Sequence, residues 1–327
     1  MMETSTSLPS GYATGQPGGQ ATRSRDLGVL ALALLSCIWG YSYVATKVAL
    51  QYSQPLTFAA LRVALGAACL FLVMIVMRRS LRPPPLGYAV IIGLLQTTVD
   101  VGLFTLALEH GGAGRTAMLI YIMPFWLLLL AWAFLSERLR GVQWLAVSLA
   151  FAGLVLVVDP WQLHGLMSSV FAVLSGLAWA ASALVVKLMQ REHRVDVLSL
   201  TAWQMALGAM PLIVLAIVLY DGNLEWTSGF VFGLAYTAIP ANALAWMLWL
   251  YALRALSAGP AGLGTLAVPV LSVLAAWLQL GDKPTGLEAI GMALIVAGLA
   301  VLAARGISAG RGLDSAGREP VVRPATR

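Results

Sequence analysis

Charged residues are scarce in this 327-residue sequence. They make up only 10% of it, whereas hydrophobic residues make up 60%. Soluble domains carry about 25% charged residues, so this composition excludes a water-soluble fold. The net charge of +6 comes from residues at the ends of apolar segments, and no basic face with interleaved aromatics is present. We therefore expect no nucleic acid partner.

Residue patterns that support metal, disulfide or phosphate chemistry are also missing. The only two cysteines, Cys37 and Cys69, lie within apolar segments, which argues against a disulfide framework. The three histidines are isolated and none has the HExxH spacing of a zinc site. No lysine directly follows a glycine, as the lysine of a phosphate-binding P-loop does. We predict no metal, no cofactor, no ATPase and no enzyme activity.

Long apolar stretches fill the chain from residue 27 to residue 304. A transmembrane helix needs about 20 apolar residues, and polar breaks divide this region into ten segments of such length. We predict an all-α integral membrane protein with ten transmembrane helices. The breaks lie near Ser53, Arg79, Gly112, Arg138, Pro160, Arg191, Asp221, Ser257 and Lys283. Residues 1–26 and the basic residues 305–327 are predicted to be disordered cytoplasmic tails.

The basic residues predict the orientation of the helices. With the N-terminus in the cytoplasm, sixteen of the 20 Lys and Arg residues lie on inside segments, and only Arg115 and Lys283 lie in outside loops. Inside loops of membrane proteins carry an excess of Lys and Arg. Both termini are therefore predicted to be cytoplasmic.

The two halves of the chain repeat each other. At a shift of 145 residues the following pairs match without a gap: Pro124 and Pro269, Trp132 and Trp277, Gly141 and Gly286, and Gly153 and Gly298. Near the start of each half the shift is 140, and Trp39 and Lys47 then match Trp179 and Lys187. We predict two five-helix repeats, residues 27–160 and 161–304.

An odd number of helices in each repeat predicts that the second repeat is inverted in the membrane. The charges agree, because the basic inside loop 78–82 corresponds to the outside loop 221–225, which carries Asp221 and Glu225. Inverted repeats are typical of secondary transporters, in which two pseudo-symmetric halves enclose a site near the middle of the bilayer.

Both repeats end in the same pattern, an apolar helix after proline, an acidic residue, a polar turn and a glycine-spaced last helix. The copies read PFWLLLLAWAFLSERLRGVQWLAVSLAFAGLVLV and PVLSVLAAWLQLGDKPTGLEAIGMALIVAGLAVL. The pattern resembles that of the EamA-type permeases of the drug/metabolite transporter superfamily, and the resemblance covers about residues 27–304. The first copy has Glu137, and the second has Asp282 where glutamate is usual.

The resemblance implies a ten-helix basket around a central cavity, and export of amino acids, other small metabolites or drugs across the bacterial inner membrane. We expect a secondary transporter that works by alternating access, takes a small-molecule substrate and has protons as its candidate coupling ion. We expect a monomer or a weak homodimer. Two alternatives stay open: a membrane-embedded enzyme, which needs a polar catalytic cluster, and a non-transport membrane protein, which needs a sizeable soluble domain.

Arg62 and Asp100 are ionisable residues deep within predicted helices. An ionised side chain at the bilayer centre costs about 2.5–3.5 kcal/mol, so such residues are candidates for function. At 1.5 Å per residue both lie about 10–12 Å from the predicted outer surface. We predict that they pair or share a water-filled cavity. Two roles stay open for Arg62, a structural ion pair and the binding of a substrate carboxylate.

Three amides are further candidates for substrate binding. Gln96 lies one turn before the aspartate, and Gln204 takes the position of the arginine in the second repeat. Asn242 follows Pro240 by two residues, and a proline within a membrane helix frees backbone carbonyls that can face a cavity.

Aromatic residues complete the predicted site. Trp39 and Tyr43 recur at four-residue spacing with Lys47 on one face of the first helix. Trp179 repeats the first of them, and Tyr121 lies well inside the fourth helix. For these residues packing and cavity lining both stay open. We interpret Lys47 as a lysine near the end of its helix that extends its ammonium group towards the membrane–water interface.

Overall fold

The computed structural model describes residues 17–135, 141–159, 165–255 and 265–316. Within these ranges the chain forms helices joined by short turns, and the one extended pairing is an isolated β-bridge between Ser53 and Leu224. Nine of the described helices are long and apolar enough to span a membrane, and a tenth, shorter helix is also apolar. The predicted all-α membrane class is confirmed.

The first repeat contains five helices, two of which are interrupted. Helix α3 contains a π-helical segment, Gly93–Val99, and α4 is broken by a turn at residues 121–122. The helices are α1 Pro17–Ala49, α2 Pro55–Val76, α3 Leu86–His110, α4 Ala113–Leu135 and α5 Gly141–Val158. Glu137 of the sequence signature lies outside the described residues.

The second repeat has the same order of helices. Helix α8 consists of Ser228–Ala238, the π-helical segment Ile239–Leu244, and Ala245–Ala255. The other helices are α6 Leu166–Glu192, α7 Val197–Val218, α9 Ala267–Leu280 and α10 Gly286–Ala316. Helix α1 begins ten residues before position 27, and α10 continues past residue 304. The remainder of both predicted tails lies outside the described ranges.

Helix starts follow from local chemistry. Pro55 occupies the first turn of α2, where its missing N–H costs no hydrogen bond. Asp196 caps α7 by accepting a hydrogen bond from the Leu198 N–H at 3.0 Å, and Thr227 caps α8 through the Phe230 N–H.

The two repeats interlock. Helix α1 packs against α8 and α9 of the other repeat, and α6 packs against α3 and α4. Helix α2 packs against α7, and α5 packs against α10. When the two repeats are exchanged, the contacts of α1 correspond to those of α6, and the pairs α2–α7 and α5–α10 correspond to themselves. The bundle is therefore pseudo-symmetric.

Glycine allows the last helices of the two repeats to approach closely. A Cβ added at Gly153 of α5 would lie 2.5 Å from the Gly291 carbonyl oxygen of α10. The repeat-related Gly298 lies in the same way against the Ala146 carbonyl oxygen, where an added Cβ would be 2.8 Å away. Small residues at such crossings let membrane helices pack backbone to backbone.

Hydrogen bonds join the loops on each face of the bundle. On the face predicted to be outside, the Glu225 N–H donates to the Tyr52 carbonyl at 2.9 Å, and the Ala113 N–H donates to Asp282 Oδ2 at 3.1 Å. On the opposite face, Ser199 Oγ donates to the Arg82 carbonyl at 3.3 Å. Successive loops thus alternate between two faces, as spanning helices require.

Lys47 caps the C-terminal end of α3. Its Nζ donates to the carbonyl oxygens of Leu108 at 2.5 Å and Glu109 at 3.2 Å. The last carbonyls of a helix lack partners within the helix, and a cation there is favoured by the helix dipole. The lysine is therefore bound to the last turn of the neighbouring helix.

Candidate functional site

A central cavity of about 160 Å³ lies between helices of both repeats. Its lining includes side chains of α1 to α4 and of α6 to α8. All nine residues predicted from the sequence to bind substrate line this cavity: Trp39, Tyr43, Arg62, Gln96, Asp100, Tyr121, Trp179, Gln204 and Asn242. The structure thus brings the predicted site together in one place.

Arg62 projects from the middle of α2 into the cavity. Its guanidinium carbon lies 5.0 Å from the centre of the Phe104 ring, close enough for a cation–π interaction. Its Nε and Nη1 are buried, and no described residue accepts a hydrogen bond from them. Two charged donors of this arginine thus lack an acceptor in the part of the chain that the structure describes.

Asp100 faces the same cavity from α3 but does not pair directly with Arg62. Among the described side chains, no ion pair within 4.0 Å joins the two. Asp100 Oδ1 instead accepts a hydrogen bond from Ser175 Oγ of α6 at 2.5 Å. Of the two predicted arrangements, the direct pair is therefore absent and the shared cavity is present.

Aromatic rings line much of the cavity. Three edge-to-face pairs connect rings of different helices, with centroids 5.2–6.1 Å apart, which is the range preferred by aromatic pairs. The pairs are Trp39 with Trp246, Tyr43 with Phe104, and Tyr121 with Trp179. Because each ring is held by another, the aromatic wall has a defined shape.

The two π-helical segments lie at equivalent positions of the repeats. Gly93–Val99 of α3 falls on residues 238–244 at the 145-residue shift, and the segment in α8 is Ile239–Leu244. In α3 the Asp100 N–H donates to the Leu95 carbonyl five residues earlier, as in a π-helix. π-Helical segments within α-helices are frequent at functional sites.

Each π-helical segment is hydrogen-bonded to a helix of the other repeat. In α8 the Ala241 carbonyl, next to Pro240, accepts a hydrogen bond from Trp39 Nε1 of α1 at 2.9 Å. In α3 the Gln96 side chain accepts a hydrogen bond from Ser182 Oγ of α6 at 3.2 Å. Each π-helical segment is thus bound by the first helix of the opposite repeat.

The segments also pack tightly against the crossing helix. A Cβ added at Gly93 of α3 would lie 2.6 Å from the Gln204 carbonyl oxygen of α7. Thr98 Oγ1 donates to the Gly208 carbonyl of the same helix at 2.7 Å. Glycine at this crossing therefore lets α3 approach α7 closely.

Phe104, which lines the cavity, and Ser175, which bonds the cavity residue Asp100, were not predicted as site residues. Phe104 lies one turn beyond Asp100 on the same face, a spacing that could have identified it. Ser175 carries no such signal, because a serine within a membrane helix usually bonds its own backbone or a neighbouring helix. Two further aromatic residues within the helices, Trp203 and Tyr236, are not among the cavity lining and donate to the carbonyls of Leu81 and Ile38.

Comparison with known proteins supports a transporter. A profile of the EamA-like transporter family matches the chain twice, at residues 26–159 and 166–304. The uncharacterized transporter YoaV of Bacillus subtilis is 28% identical over 280 residues, which are 84% of this chain and 94% of that protein. A probable amino-acid metabolite efflux pump of Escherichia coli is also 28% identical, over 84% of this chain and 94% of that protein.

A solved crystal structure has the same fold. It is 21% identical, has a TM-score of 0.60 and covers 88% of this chain and 98% of that chain. The family resemblance inferred from the two signatures is confirmed. Since the double family match spans most of the chain and both groups of helices enclose one cavity, the chain belongs to the EamA-like transporter family.

Proposed function

We propose that this protein is a secondary transporter that exports small zwitterionic metabolites, amino acids in particular, across the inner membrane by alternating access. The observation that carries the proposal is Arg62, which lines the cavity and whose buried Nε and Nη1 have no acceptor among the described residues. A substrate carboxylate that accepts from the guanidinium forms charge-assisted hydrogen bonds, which are about twice as strong as neutral ones. Burying the cation without such a partner is costly, so a carboxylate ligand is favoured.

The other charge in the cavity complements an ammonium group. Asp100 is held by Ser175 and is left without a cationic partner among the described side chains. The aromatic rings of Trp39 and Tyr43 lie in the same cavity and attract cations through their faces. An arginine and an aspartate that do not pair with each other are suited to a substrate that carries both charges.

The size of the cavity favours a small substrate. A protein cavity of about 150 Å³ holds a molecule of the size of benzene. A cavity of about 160 Å³ is thus suited to a short amino acid rather than a large drug. The name of the Escherichia coli relative, a probable amino-acid metabolite efflux pump, supports both the class of substrate and the direction.

The inverted repeats support the proposed alternating access. Helix α2 packs against α7 and α5 packs against α10, so each pair joins equivalent helices of the two repeats. When two inverted repeats exchange their conformations, the access path to the cavity closes on one face of the membrane and opens on the other. Asp100 is the acidic group that we propose binds the coupling proton, because it is the carboxylate that lines the cavity.

Counterflow into proteoliposomes tests the proposal. Vesicles preloaded with an unlabelled amino acid are expected to accumulate the labelled one, and not its decarboxylated amine or its deaminated acid. Protein-free vesicles and vesicles containing the Arg62→Gln variant serve as controls. Failure to exchange any member of a broad amino-acid panel would reject the proposal, and exchange of cationic drugs instead would favour a drug exporter.

A further inference from the structure

The α1–α2 and α7–α8 loops are joined backbone to backbone on the face predicted to be outside. An antiparallel β-bridge pairs Ser53 of the first loop with Leu224 of the second. Beside the bridge, the Glu225 N–H donates to the Tyr52 carbonyl at 2.9 Å. The two loops belong to different repeats, and all four helices that they connect line the central cavity. This contact therefore holds together, at their outer ends, two pairs of helices between which the cavity lies.

The related loops on the opposite face cannot form the same hydrogen bond. Exchange of the repeats places the α7–α8 loop, residues 219–227, on the α2–α3 loop, residues 77–85, which has the same length. Pro83 then takes the position of Glu225, and two further prolines follow it. Proline has no N–H, so the hydrogen bond that Glu225 donates has no counterpart on the inner face.

The loops on the inner face enclose space where the outer loops meet. Within the described ranges, no backbone hydrogen bond joins the α2–α3 loop to the α6–α7 loop. A cavity of about 430 Å³ lies between them, and its lining includes Arg82 and Val195, which are related by the repeat to the two residues of the outer bridge. The ion pair that spans these loops, Arg79 with Asp196, is exposed and 3.9 Å long. The inner loops are therefore less tightly joined than the outer ones.

The side chains next to the loops show the same difference. On the outer face, Phe58 of α2 meets Phe230 of α8 edge to face with 6.1 Å between ring centroids, and both rings are fully buried. The related positions on the inner face are Leu200 and Tyr88. Tyr88 is half-buried, and its hydroxyl donates to the exposed Glu192 at 3.0 Å. The outer end of the bundle is thus packed more completely than the inner end.

We propose that the backbone hydrogen bond from Glu225 to Tyr52 is a latch that favours the state closed on the outer face, so that the protein without substrate opens towards the cytoplasm. This inference rests on the proposed function, because it assumes that the two repeats exchange conformations. With identical repeats the two states would have equal free energy. A bond that only one state can form shifts the populations towards that state. For an exporter, this bias presents the cavity to the side from which the substrate comes.

Paired cysteines test the bias without any substrate. Partners in an antiparallel bridge have Cα atoms about 4.5–5.5 Å apart, which suits a disulfide. In a variant that lacks both native cysteines, Ser53→Cys with Leu224→Cys is expected to cross-link when isolated membranes are oxidised. The matched control pair at the related inner positions, Arg82→Cys with Val195→Cys, is expected to cross-link at least roughly fivefold more slowly. Equal rates for the two pairs would overturn the proposal.

Removal of the hydrogen bond tests the latch itself. Val101 of α3 lines the central cavity, so Val101→Cys in the same background reports access to it. Addition of Glu225→Pro is expected to make this cysteine react roughly five- to tenfold faster with an impermeant thiol reagent applied to the outer face, since one hydrogen bond shifts a two-state equilibrium by about that factor. Glu225→Ala keeps the N–H and is the matched control, for which we expect no change. A rate that rises equally in both variants, or in neither, would overturn the latch.

The outcome for the latch can be distinguished from the outcome for the proposed function. Cross-linking and labelling report the positions of the loops and need no transported substrate. Unequal cross-linking together with failure to exchange any amino acid would reject the proposed substrate and keep the latch. Exchange of amino acids together with equal cross-linking of the two cysteine pairs would reject the latch and keep the proposed function.

Discussion

Ser175 and Asp100 join the two repeats at the cavity. Ser175 Oγ of α6 donates to Asp100 Oδ1 of α3 at 2.5 Å, and this bond holds the carboxylate towards the space that it shares with Arg62. A hydrogen bond to a charged group contributes about 1.5–3 kcal/mol. The serine is thus a positioning residue for the carboxylate.

Removal of this serine is expected to weaken substrate binding. The Ser175→Ala variant should raise the concentration for half-saturation roughly tenfold, because the carboxylate loses the bond that orients it. Ser169→Ala is the matched control, since Ser169 on the same helix donates to the Gly165 carbonyl of its own chain segment and does not line the cavity. Equal effects of both substitutions in counterflow would contradict the positioning role.

Arg62 is expected to be required for substrates that carry a carboxylate. Arg62→Gln should raise half-saturation for amino acids roughly 10- to 100-fold, because charge-assisted hydrogen bonds are lost. Arg79→Gln, at an exposed arginine 3.9 Å from Asp196, should have no such effect. If transport lost in Arg62→Gln returns fully in the double variant with Asp100→Asn, Arg62 serves only to balance the aspartate.

Asp100 is expected to couple transport to protons. An imposed pH gradient should drive net substrate movement by the unmodified protein, and Asp100→Asn should abolish that response because an amide cannot bind the proton. Glu109→Gln is the control, since Glu109 lies at the end of α3 beside His110 and outside the cavity. Tracer flux measured with and without the gradient distinguishes the two variants. If the pH gradient drives substrate movement by the Asp100→Asn variant as strongly as by the unmodified protein, Asp100 does not bind the coupling proton.

The close contact between α5 and α10, where Gly153 meets Gly291, is expected to determine stability rather than substrate binding. Gly153→Ala should lower the free energy of unfolding by about 1–3 kcal/mol, because the added methyl group meets the Gly291 carbonyl and the helices must separate. Gly141→Ala is the matched control, since an added Cβ there meets no atom of the described residues within 4 Å. Thermal unfolding of the purified variants in detergent provides the measurement. Equal melting temperatures of the two variants would contradict a contribution of this helix contact to stability.

Single cysteines test the predicted orientation. In a variant lacking Cys37 and Cys69, a cysteine at Asn223 should react with an impermeant thiol reagent added to intact cells, and one at Ser80 should react only after the membrane is opened. This follows from the excess of basic residues on the predicted inner loops. The opposite pattern would place both termini outside.

Much of the site could be predicted because the physics that selects it is local. An ionisable or amide side chain within an apolar segment is costly wherever the segment lies, so Arg62, Asp100, Gln96 and Gln204 stand out in the sequence alone. Their depth along each helix follows from the rise per residue. All nine predicted residues line one cavity, whereas binding of substrate by them stays a proposal.

The sequence by itself determined the membrane class, the repeats and their inversion, since hydropathy, spacing and loop charge are properties of the chain. Only the tertiary structure decided that Asp100 bonds Ser175 instead of Arg62, and that Lys47 caps α3. The physical reason is that these transmembrane helices are apolar on every side. The sequence therefore does not distinguish the side of a helix that faces lipid from the side that packs against other helices. Their neighbours are chosen by close packing between residues far apart in the chain, as where Gly153 meets Gly291.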